Sequence, residues 1–309
     1  MKKVAFIFPG QGSQTIGMGK DFFENSDIAK NMISNASARL GIDFEKLLFE
    51  ENDNIGKTEF TQPAILLVSS IANAIFKEKY NITPEFVLGH SLGEFSALVA
   101  AGGIDYLDAI ELVHKRGLFM TEACAGGGAG MMALVGIDDA TVEKVCTEQR
   151  ELGKRVWPAN YNMDGQLVLA GIKADLESLV DVFKAAGAKR AIVLDMSVAS
   201  HCELLQSAVE NLKPFLEEFL KEEFMPVISN VSTNAYTTKN EAVELLSSQL
   251  TSPVKYKQSI KACEDKVDLF IEFGNGIVLK GLNKKITDKP TINVSDMKSL
   301  EAVIGELND

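Results

Sequence analysis

Residues 86–94 read Phe-Val-Leu-Gly-His-Ser-Leu-Gly-Glu, and this stretch decides how the rest of the sequence is interpreted. Its apolar start is typical of a buried strand, and residues 95–101, Phe-Ser-Ala-Leu-Val-Ala-Ala, favour a helix. A serine between two glycines at such a junction is the pattern of a nucleophile elbow, a strained strand–turn–helix that leaves space only for glycine nearby. Ser91 is therefore predicted to be exposed beside the free N–H groups of the helix, which favour negative charge. The alternative is a chance match in a loop, which both flanks disfavour.

Length and charge limit the classes of protein that fit. The chain has 309 residues, of which 46% are hydrophobic, so it can bury a large core and suggests about two domains. The 31 basic and 43 acidic side chains give a net charge of 31 − 43 = −12, with no dense Lys/Arg tract. This balance argues against nucleic acid or an anionic membrane as the main partner.

The cysteines and the first residues indicate a cytoplasmic protein. Four cysteines are scattered without a Cys-x-x-Cys pair or histidines at ligand spacing, which predicts reduced core thiols and no metal site. The apolar run at 4–8 is too short for a signal peptide. No segment is expected to reach the roughly 18 apolar residues that a membrane span needs.

The first apolar run, residues 3–8, predicts a central parallel strand that ends in Pro-Gly-Gln-Gly-Ser-Gln at 9–14. A dinucleotide-binding turn fails here, because Thr15 stands where the third glycine belongs and no strand ending in Asp or Glu follows about 20 residues on. Two interpretations stay open: a loop that presents backbone N–H groups to an anion or oxyanion, and a plain structural turn.

Two further polar residues are candidates for the site, one just before a predicted helix and one within a predicted helix. Gln62 lies in Thr-Gln-Pro at 61–63, before a helix predicted over 64–79, and it either caps that helix or points into a site. Arg116 falls on the apolar stripe of a helix predicted over 105–123. A guanidinium there either extends to the surface, which is the commoner outcome, or lies half-buried against an anion such as a carboxylate.

A glycine-rich hinge at 124–130 precedes a segment with its own pattern, strand–helix–strand–strand–helix–strand. That order is the ferredoxin-like split unit. We therefore predict an α/β fold with a hydrolase-like core and a parallel central sheet over 1–124 and 197–309, plus an inserted ferredoxin-like subdomain over 125–196. The cleft between them is the expected pocket.

The chain contains three histidines, which makes the search for a general base short. His90 lies inside the elbow and is expected to pack or to hydrogen-bond locally, and His114 is expected to face away from the site. His201 lies at a loop-to-helix junction after the inserted segment, so by elimination it is the predicted base for Ser91. No Asp or Glu stands out as the third member, which leaves a carbonyl or amide as the group that orients the imidazole.

These motifs together, in their order and spacing along the whole chain, resemble the malonyl-CoA:acyl carrier protein transacylases of fatty acid synthesis. The residues that carry the resemblance are Gly10 to Gln14, Thr61 to Pro63, Gly89 to Glu94, Arg116, Ala159 to Asn162, Val198 to His201, Gln249 and Pro253-Val254. By position, the resemblance implies that Ser91 is the acylated nucleophile, that His201 is its base, and that the Gln249 carbonyl orients the imidazole. It also implies an oxyanion hole of the Gln11 and Leu92 N–H groups, carboxylate binding by Arg116, and further substrate contacts by Gln62 and Asn160.

The implied reaction is ping-pong transfer of malonyl from malonyl-CoA, through a malonyl-serine ester, to the pantetheine thiol of acyl carrier protein. No bound cofactor is expected, the carrier is a transient partner, and the chain is expected to be a monomer. Because carriers and this chain are both acidic, docking needs a local basic patch. The candidates are Lys189 and Arg190, and Lys280, Lys284 and Lys285 after Gly276; ordinary solvated helix faces are the alternative for both clusters.

One departure from the family pattern concerns residues 198–201, Val-Ala-Ser-His, where discrete bacterial members usually carry proline before the histidine. In polyketide synthase acyltransferase domains Ala-Ser-His accompanies methylmalonyl, so the α-substituent stays open. Two different classes of protein also stay open: a thioesterase or esterase of the α/β-hydrolase fold, and a non-catalytic subunit that binds the carrier. The hydrolase fold expects its histidine near the C-terminus, whereas residues 202–309 follow the last histidine here.

Overall fold

The computed structural model describes residues 2–196 and 198–308. The predicted boundary residue 197 and both chain ends, 1 and 309, lie outside this described part. Its strands are β1 Val4–Phe8, β2 Phe86–Gly89, β3 Ala129–Val135, β4 Val156–Met163, β5 Gln166–Ile172, β6 Arg190–Val193, β7 Glu223–Ile228, β8 Ala235–Thr238, β9 Leu269–Phe273 and β10 Thr291–Val294.

The helices of the described residues are α1 Lys20–Asn25, α2 Asp27–Leu40, α3 Phe44–Phe49, α4 Thr58–Tyr80, α5 Gly93–Ala101, α6 Tyr106–Ala123, α7 Asp139–Glu151, α8 Lys173–Ala185, α9 Gln206–Phe219, α10 Lys239–Gln249, α11 Tyr256–Cys263, α12 Val278–Ile286 and α13 Met297–Asn308. Short 3₁₀ turns lie at Asn54–Gly56, Glu203–Leu205 and Glu264–Lys266. The helical segment expected directly after His201 therefore begins as a 3₁₀ turn, Glu203–Leu205, and continues as α9.

The larger sheet has the strand order β10-β9-β1-β2-β7-β8. We call it the large sheet. Its strands pair in parallel except for the edge strand β8, which is antiparallel to β7. β1 and β9 are buried at every residue, as expected for strands covered by helices on both faces. The prediction of an α/β fold with a parallel central sheet is confirmed.

The four strands between α6 and α9 form a second sheet, the small sheet, with the order β4-β5-β3-β6 and antiparallel pairing throughout. The observed element order, β3-α7-β4-β5-α8-β6, is the one predicted. Leu134, Val142, Leu169 and Phe183 contribute to a core cluster separate from that of the large sheet. A parallel bridge joins Asn160 on β4 of the small sheet to Val254, which lies between α10 and α11.

Helix α4 starts at Thr58, six residues before the predicted start, so Pro63 lies inside the helix rather than at its first position. Proline has no N–H, and the carbonyl of Glu59, four residues earlier, loses its helical partner. The imidazole Nδ1 of His114 lies 2.7 Å from that carbonyl and can donate to it. A contact from another helix therefore replaces the missing bond, which the local sequence could not indicate.

The expectation that no segment is long and apolar enough to span a membrane is wrong for α4. Its 23 residues reach a mean hydropathy of 1.2 over an 18-residue window, which is sufficient by length and composition. However, 83% of that window is buried inside the protein. A core helix passes the same test, and α4 packs against α6, α2 and α5.

The four cysteines, Cys124, Cys146, Cys202 and Cys263, are free and buried, as predicted. Burial raises the pKa of Cys146, Cys202 and Cys263 to about 12, which keeps these thiols protonated at neutral pH.

Candidate active site

The predicted elbow is present between β2 and α5. Ser91 has a φ of 52°, the strained left-handed conformation expected of an elbow serine. A Cβ at Gly93 would lie 2.0 Å from the carbonyl oxygen of Phe8, and a Cβ at Gly89 would lie 1.9 Å from the carbonyl carbon of Gly93. Both glycines are therefore required by close contact of the turn with β1 and with itself.

Ser91, His201 and Gln249 form a hydrogen-bonded chain. The Ser91 hydroxyl lies 2.7 Å from His201 Nε2, and His201 Nδ1 lies 2.7 Å from the backbone carbonyl oxygen of Gln249. A carbonyl only accepts, so Nδ1 carries the hydrogen and Nε2 offers its lone pair to the serine hydroxyl. The imidazole is thus held in the tautomer that a general base for Ser91 needs.

His201 is buried, with 2% of its surface exposed. Burial, and after it the positive charge of Arg116, lowers the pKa of His201 to about 3. The imidazole is consequently neutral at physiological pH and able to accept a proton from the serine.

Arg116 does not extend to the surface, because its side chain is 1% exposed. It donates to Gln62 Oε1 at 2.9 Å, to Gln249 Oε1 at 3.0 Å and to Ser91 Oγ at 3.3 Å. Burial lowers the pKa of Arg116 to about 10, which leaves it charged at neutral pH. Gln62 therefore points into the site rather than capping a helix.

A cavity of about 390 Å³ opens over Ser91 between the two sheets. Gln11 and Leu92 line it, and within the described chain neither backbone N–H donates a hydrogen bond. Asn160 also lines the cavity and is 6% exposed. The geometry thus brings together every predicted reacting and substrate-contacting residue.

The other two histidines, His90 and His114, lie in different surroundings, one at the cavity and one outside it. His90 also lines the cavity, and its Nε2 lies 2.8 Å from Asn162 Oδ1 on β4. His90 packs against Tyr256, with ring centroids 5.5 Å apart, and of the two alternatives expected for it the local hydrogen bond is wrong, since 72 residues separate it from Asn162. The tertiary fold places β4 over the elbow, which the local sequence could not show. His114 lies outside the cavity lining and contacts α4, as expected.

Three buried residues that sequence analysis missed support the elbow. Asn230, directly after β7, accepts from the Ser91 N–H at 2.7 Å and donates to the Gly89 carbonyl at 2.7 Å. Glu94 accepts from the Asn230 N–H at 3.1 Å and from the Tyr236 hydroxyl at 3.0 Å. A signal for Asn230 was available, because polar residues at the carboxyl ends of neighbouring parallel strands meet at one edge.

Burial raises the pKa of Glu94 to about 7. Hydrogen bonds from Asn230, Gln249 and Tyr236, and the charge of Arg116, oppose that rise.

The basic residues predicted to dock a carrier lie on two different elements, β6 and α12. Lys189 and Arg190 are exposed at the start of β6, an edge strand of the small sheet. Lys280, Lys284 and Lys285 are exposed on α12, which follows β9 of the large sheet. Among residues 2–196 and 198–308, no group of three or more His, Cys, Asp or Glu side chains could hold a metal ion.

A mixed α/β fold in which a serine hydroxyl, a neutral imidazole and a buried guanidinium meet in one cavity defines an acyl-transferring enzyme of the serine type. Comparison with known proteins agrees with this class. The chain matches the family described as acyl transferase domain over residues 5–308.

Two curated relatives are named malonyl CoA-acyl carrier protein transacylase. The one from Bacillus subtilis (strain 168) is 43% identical, with 100% of this chain and 98% of the relative covered. The one from Escherichia coli (strain K12) is 40% identical, with 99% and 100% covered. Among solved structures, the malonyl-CoA:acyl carrier protein transacylase from Helicobacter pylori superposes with a TM-score of 0.96 at 45% identity, covering 100% of this chain and 99% of that one.

A further solved structure is a type II polyketide synthase acyl carrier protein in complex with its malonyl-transacylase. It superposes with a TM-score of 0.94 at 37% identity and covers 98% of this chain and 99% of that one. The chain therefore belongs to the acyl transferase family and, within it, to the malonyl-CoA:acyl carrier protein transacylases.

Proposed function

We propose that this enzyme transfers the malonyl group of malonyl-CoA to the pantetheine thiol of acyl carrier protein, supplying the extender unit for fatty acid synthesis. The observation that carries the proposal is the 3.3 Å distance between the Arg116 guanidinium and the Ser91 hydroxyl inside one buried cavity. A short diacid can be held there by its free carboxylate while its thioester carbonyl reaches the serine.

In the first half-reaction His201 Nε2 takes the proton of the Ser91 hydroxyl as the oxygen attacks the thioester carbonyl. The tetrahedral oxyanion accepts hydrogen bonds from the Gln11 and Leu92 N–H groups. The carbon–sulfur bond then breaks, and His201 returns the proton to the departing coenzyme A thiol. The product is a malonyl ester on Ser91.

In the second half-reaction the pantetheine thiol gives its proton to His201 and attacks the ester carbonyl. Ser91 leaves and regains the proton. The residues present perform each proton transfer, so the reaction proceeds without a bound cofactor. Arg116 keeps the malonyl carboxylate in place throughout, and a neutral acyl group would leave that buried cation without an anionic partner. Gln62 and Asn160 complete the wall around the acyl group.

We also propose a domain organisation, a cellular location and a docking site for the carrier. We assign the large sheet and its helices, 1–124 and 197–309, to a hydrolase-like core, and 125–196 to an inserted ferredoxin-like subdomain. The strand order β4-β5-β3-β6 supports that assignment. We further propose a cytoplasmic monomer that binds its carrier transiently, without membrane or nucleic acid. The carrier docks through Lys189, Arg190, Lys284 and Lys285, whose charge opposes that of an acidic carrier.

Intact mass spectrometry after brief mixing with malonyl-CoA tests the proposal. We expect one malonyl adduct on the native enzyme, no adduct on Ser91→Ala, and loss of the native adduct when carrier with a free pantetheine thiol is added. A competition between malonyl-, methylmalonyl- and acetyl-CoA settles the α-substituent. If the thioester is only hydrolysed and no carrier is loaded, the enzyme is a thioesterase and the proposal is wrong.

A further inference from the structure

The buried guanidinium of Arg116 lacks a direct counter-ion. Its hydrogen-bond acceptors are the amide oxygens of Gln62 and Gln249 and the hydroxyl of Ser91, all neutral groups. Within the described residues no carboxylate oxygen lies within 4.0 Å of it. An isolated cation in such a dry site is costly, so the charge that compensates it must lie further away.

Glu94 on the first turn of α5 supplies a charge of the opposite sign. Its side chain is 1% exposed, and its carboxylate accepts from Gln249 Nε2 at 2.8 Å as well as from Asn230 and Tyr236. Arg116 and Glu94 are thus bound to opposite ends of one side-chain amide. The amide dipole presents its positive end to the carboxylate and its negative end to the guanidinium.

The charges at both ends fix the orientation of that amide. A carboxylate only accepts and a guanidinium only donates, so Gln249 can satisfy both in a single orientation. Gln249 Nε2 also donates to the Ser91 carbonyl at 3.1 Å, which connects the amide to the elbow. The side chain of Gln249 therefore has a role besides that of its backbone carbonyl, which accepts from His201.

This arrangement differs from a direct salt bridge between Glu94 and Arg116, because no carboxylate occupies the donors of the guanidinium. A carboxylate bound directly to Arg116 would occupy the paired donors that an incoming carboxylate needs. With the amide between the charges, the guanidinium contacts only neutral acceptors: Nη1 donates to Gln62, Nη2 donates to Gln249 and makes the long contact to Ser91 Oγ, and the buried Nε has no hydrogen-bond partner. The charge of Arg116 is compensated while no carboxylate occupies its donors.

We propose that Glu94 is the remote counter-ion of Arg116 and acts through the Gln249 amide as a positioning residue for recognition of the acyl carboxylate. The inference rests on the proposed function, since it concerns selection of a diacid acyl group. It assigns to Glu94 and to the Gln249 side chain a part in selectivity, not a contact with the reacting atoms.

The test compares Glu94→Gln with Glu272→Gln. Glu272 is a matched control, because it is buried on β9 and accepts from two backbone N–H groups, those of Leu279 and Lys280, each at 2.9 Å. The readout is the ratio of malonyl to acetyl loading rates at pH 8, measured by intact mass, together with the melting temperature. We expect Glu94→Gln to lower the ratio about tenfold, chiefly through malonyl loading, and Glu272→Gln to lower only the melting temperature.

An unchanged ratio in Glu94→Gln, with any loss of overall rate or melting temperature, would reduce Glu94 to a structural role and overturn the inference. A native enzyme that forms no malonyl adduct would instead contradict the proposed function. The two failures are therefore distinguishable in one series of measurements.

Gln249→Glu provides a second route that does not depend on the folding of Glu94→Gln. It places a carboxylate directly on Arg116, and we expect the ratio to fall about 100-fold because that carboxylate competes with the substrate's. The double variant Glu94→Gln/Gln249→Glu has the native net charge but keeps the direct contact, so its ratio should stay low. Recovery to the native ratio would show that selectivity depends only on the number of buried charges. That result would contradict the proposal that Glu94 acts through the Gln249 amide.

Discussion

The two sheets contribute to the cavity in different ways. The large sheet brings Gln11 after β1 and Ser91 after β2 into the cavity, and Asn230 after β7 holds the Ser91 N–H, each from a loop at the carboxyl end of a parallel strand. The small sheet instead contributes residues within strands, such as Met131, Asn160 and Val168. The first therefore carries the Ser91 hydroxyl and the second forms a wall.

The difference follows from strand direction. Parallel strands all end at the same edge, so the residues that follow them converge, and tight turns there can expose a hydroxyl or an N–H group. In an antiparallel sheet the carboxyl ends alternate between the two edges, and what the sheet offers to a cavity is one of its faces. Four substitutions test this division, in decreasing order of expected effect.

Arg116→Ala should lower malonyl loading about 100-fold while acetyl loading is maintained or rises, because the variant loses the buried cation that we propose selects a carboxylate. Competition between the two thioesters, followed by intact mass, measures the ratio. Arg39→Ala is the control, since Arg39 forms surface ion pairs with Asp108 and Glu111. An unchanged preference in Arg116→Ala would remove Arg116 from carboxylate recognition.

Asn230→Ala should reduce the free energy of unfolding by about 2 kcal/mol and slow loading of both acyl groups. The change leaves the Ser91 N–H and the Gly89 carbonyl without partners in a buried elbow. Urea denaturation and loading rates measure the two effects. Full activity in this variant would show that the elbow holds its strained conformation without the large sheet's support.

His201→Gln tests whether the imidazole lies in a dry site where the two sheets meet. In the unfolded chain His201 takes up a proton below a pKa of 6.5, but in the folded enzyme its pKa is about 3, so acid favours unfolding of the native enzyme. Between pH 7.5 and 5.5 the native enzyme should lose about 1.4 kcal/mol more stability than the variant. Urea denaturation at both pH values checks this. Parallel changes in the two proteins would indicate a solvated imidazole.

Asn162→Ala should have the smallest effect, below about 1 kcal/mol in stability and a few-fold in loading rate. Asn162 belongs to the small sheet, and its hydrogen bond to the elbow is the one with His90 Nε2. Because Asn230 and Asn162 are the same residue type, the pair compares the two sheets directly. An equal or larger loss in Asn162→Ala would contradict the division between reacting edge and wall.

Much of this site was predictable because its signals are local. The elbow follows from glycines on both sides of Ser91, and the apolar stripe of α6 placed Arg116 on a buried face. Elimination among three histidines reached His201. The start of α4 was not predictable, because the hydrogen bond that compensates for the N–H missing at Pro63 comes from His114, 55 residues from its acceptor Glu59.

The sequence by itself determined the strand–turn–helix around Ser91, the order of elements in the small sheet and the residue types available for chemistry, since these depend on hydrophobic periodicity and on space that only glycine leaves. Only the tertiary structure decided which distant residues form hydrogen bonds with those groups. Glu94 and Asn230 are 136 residues apart, and Ser91 and Gln249 are 158 apart. Hydrogen bonds over such separations depend on chain folding rather than on local pattern, and they set the charge and orientation of the groups that the sequence names.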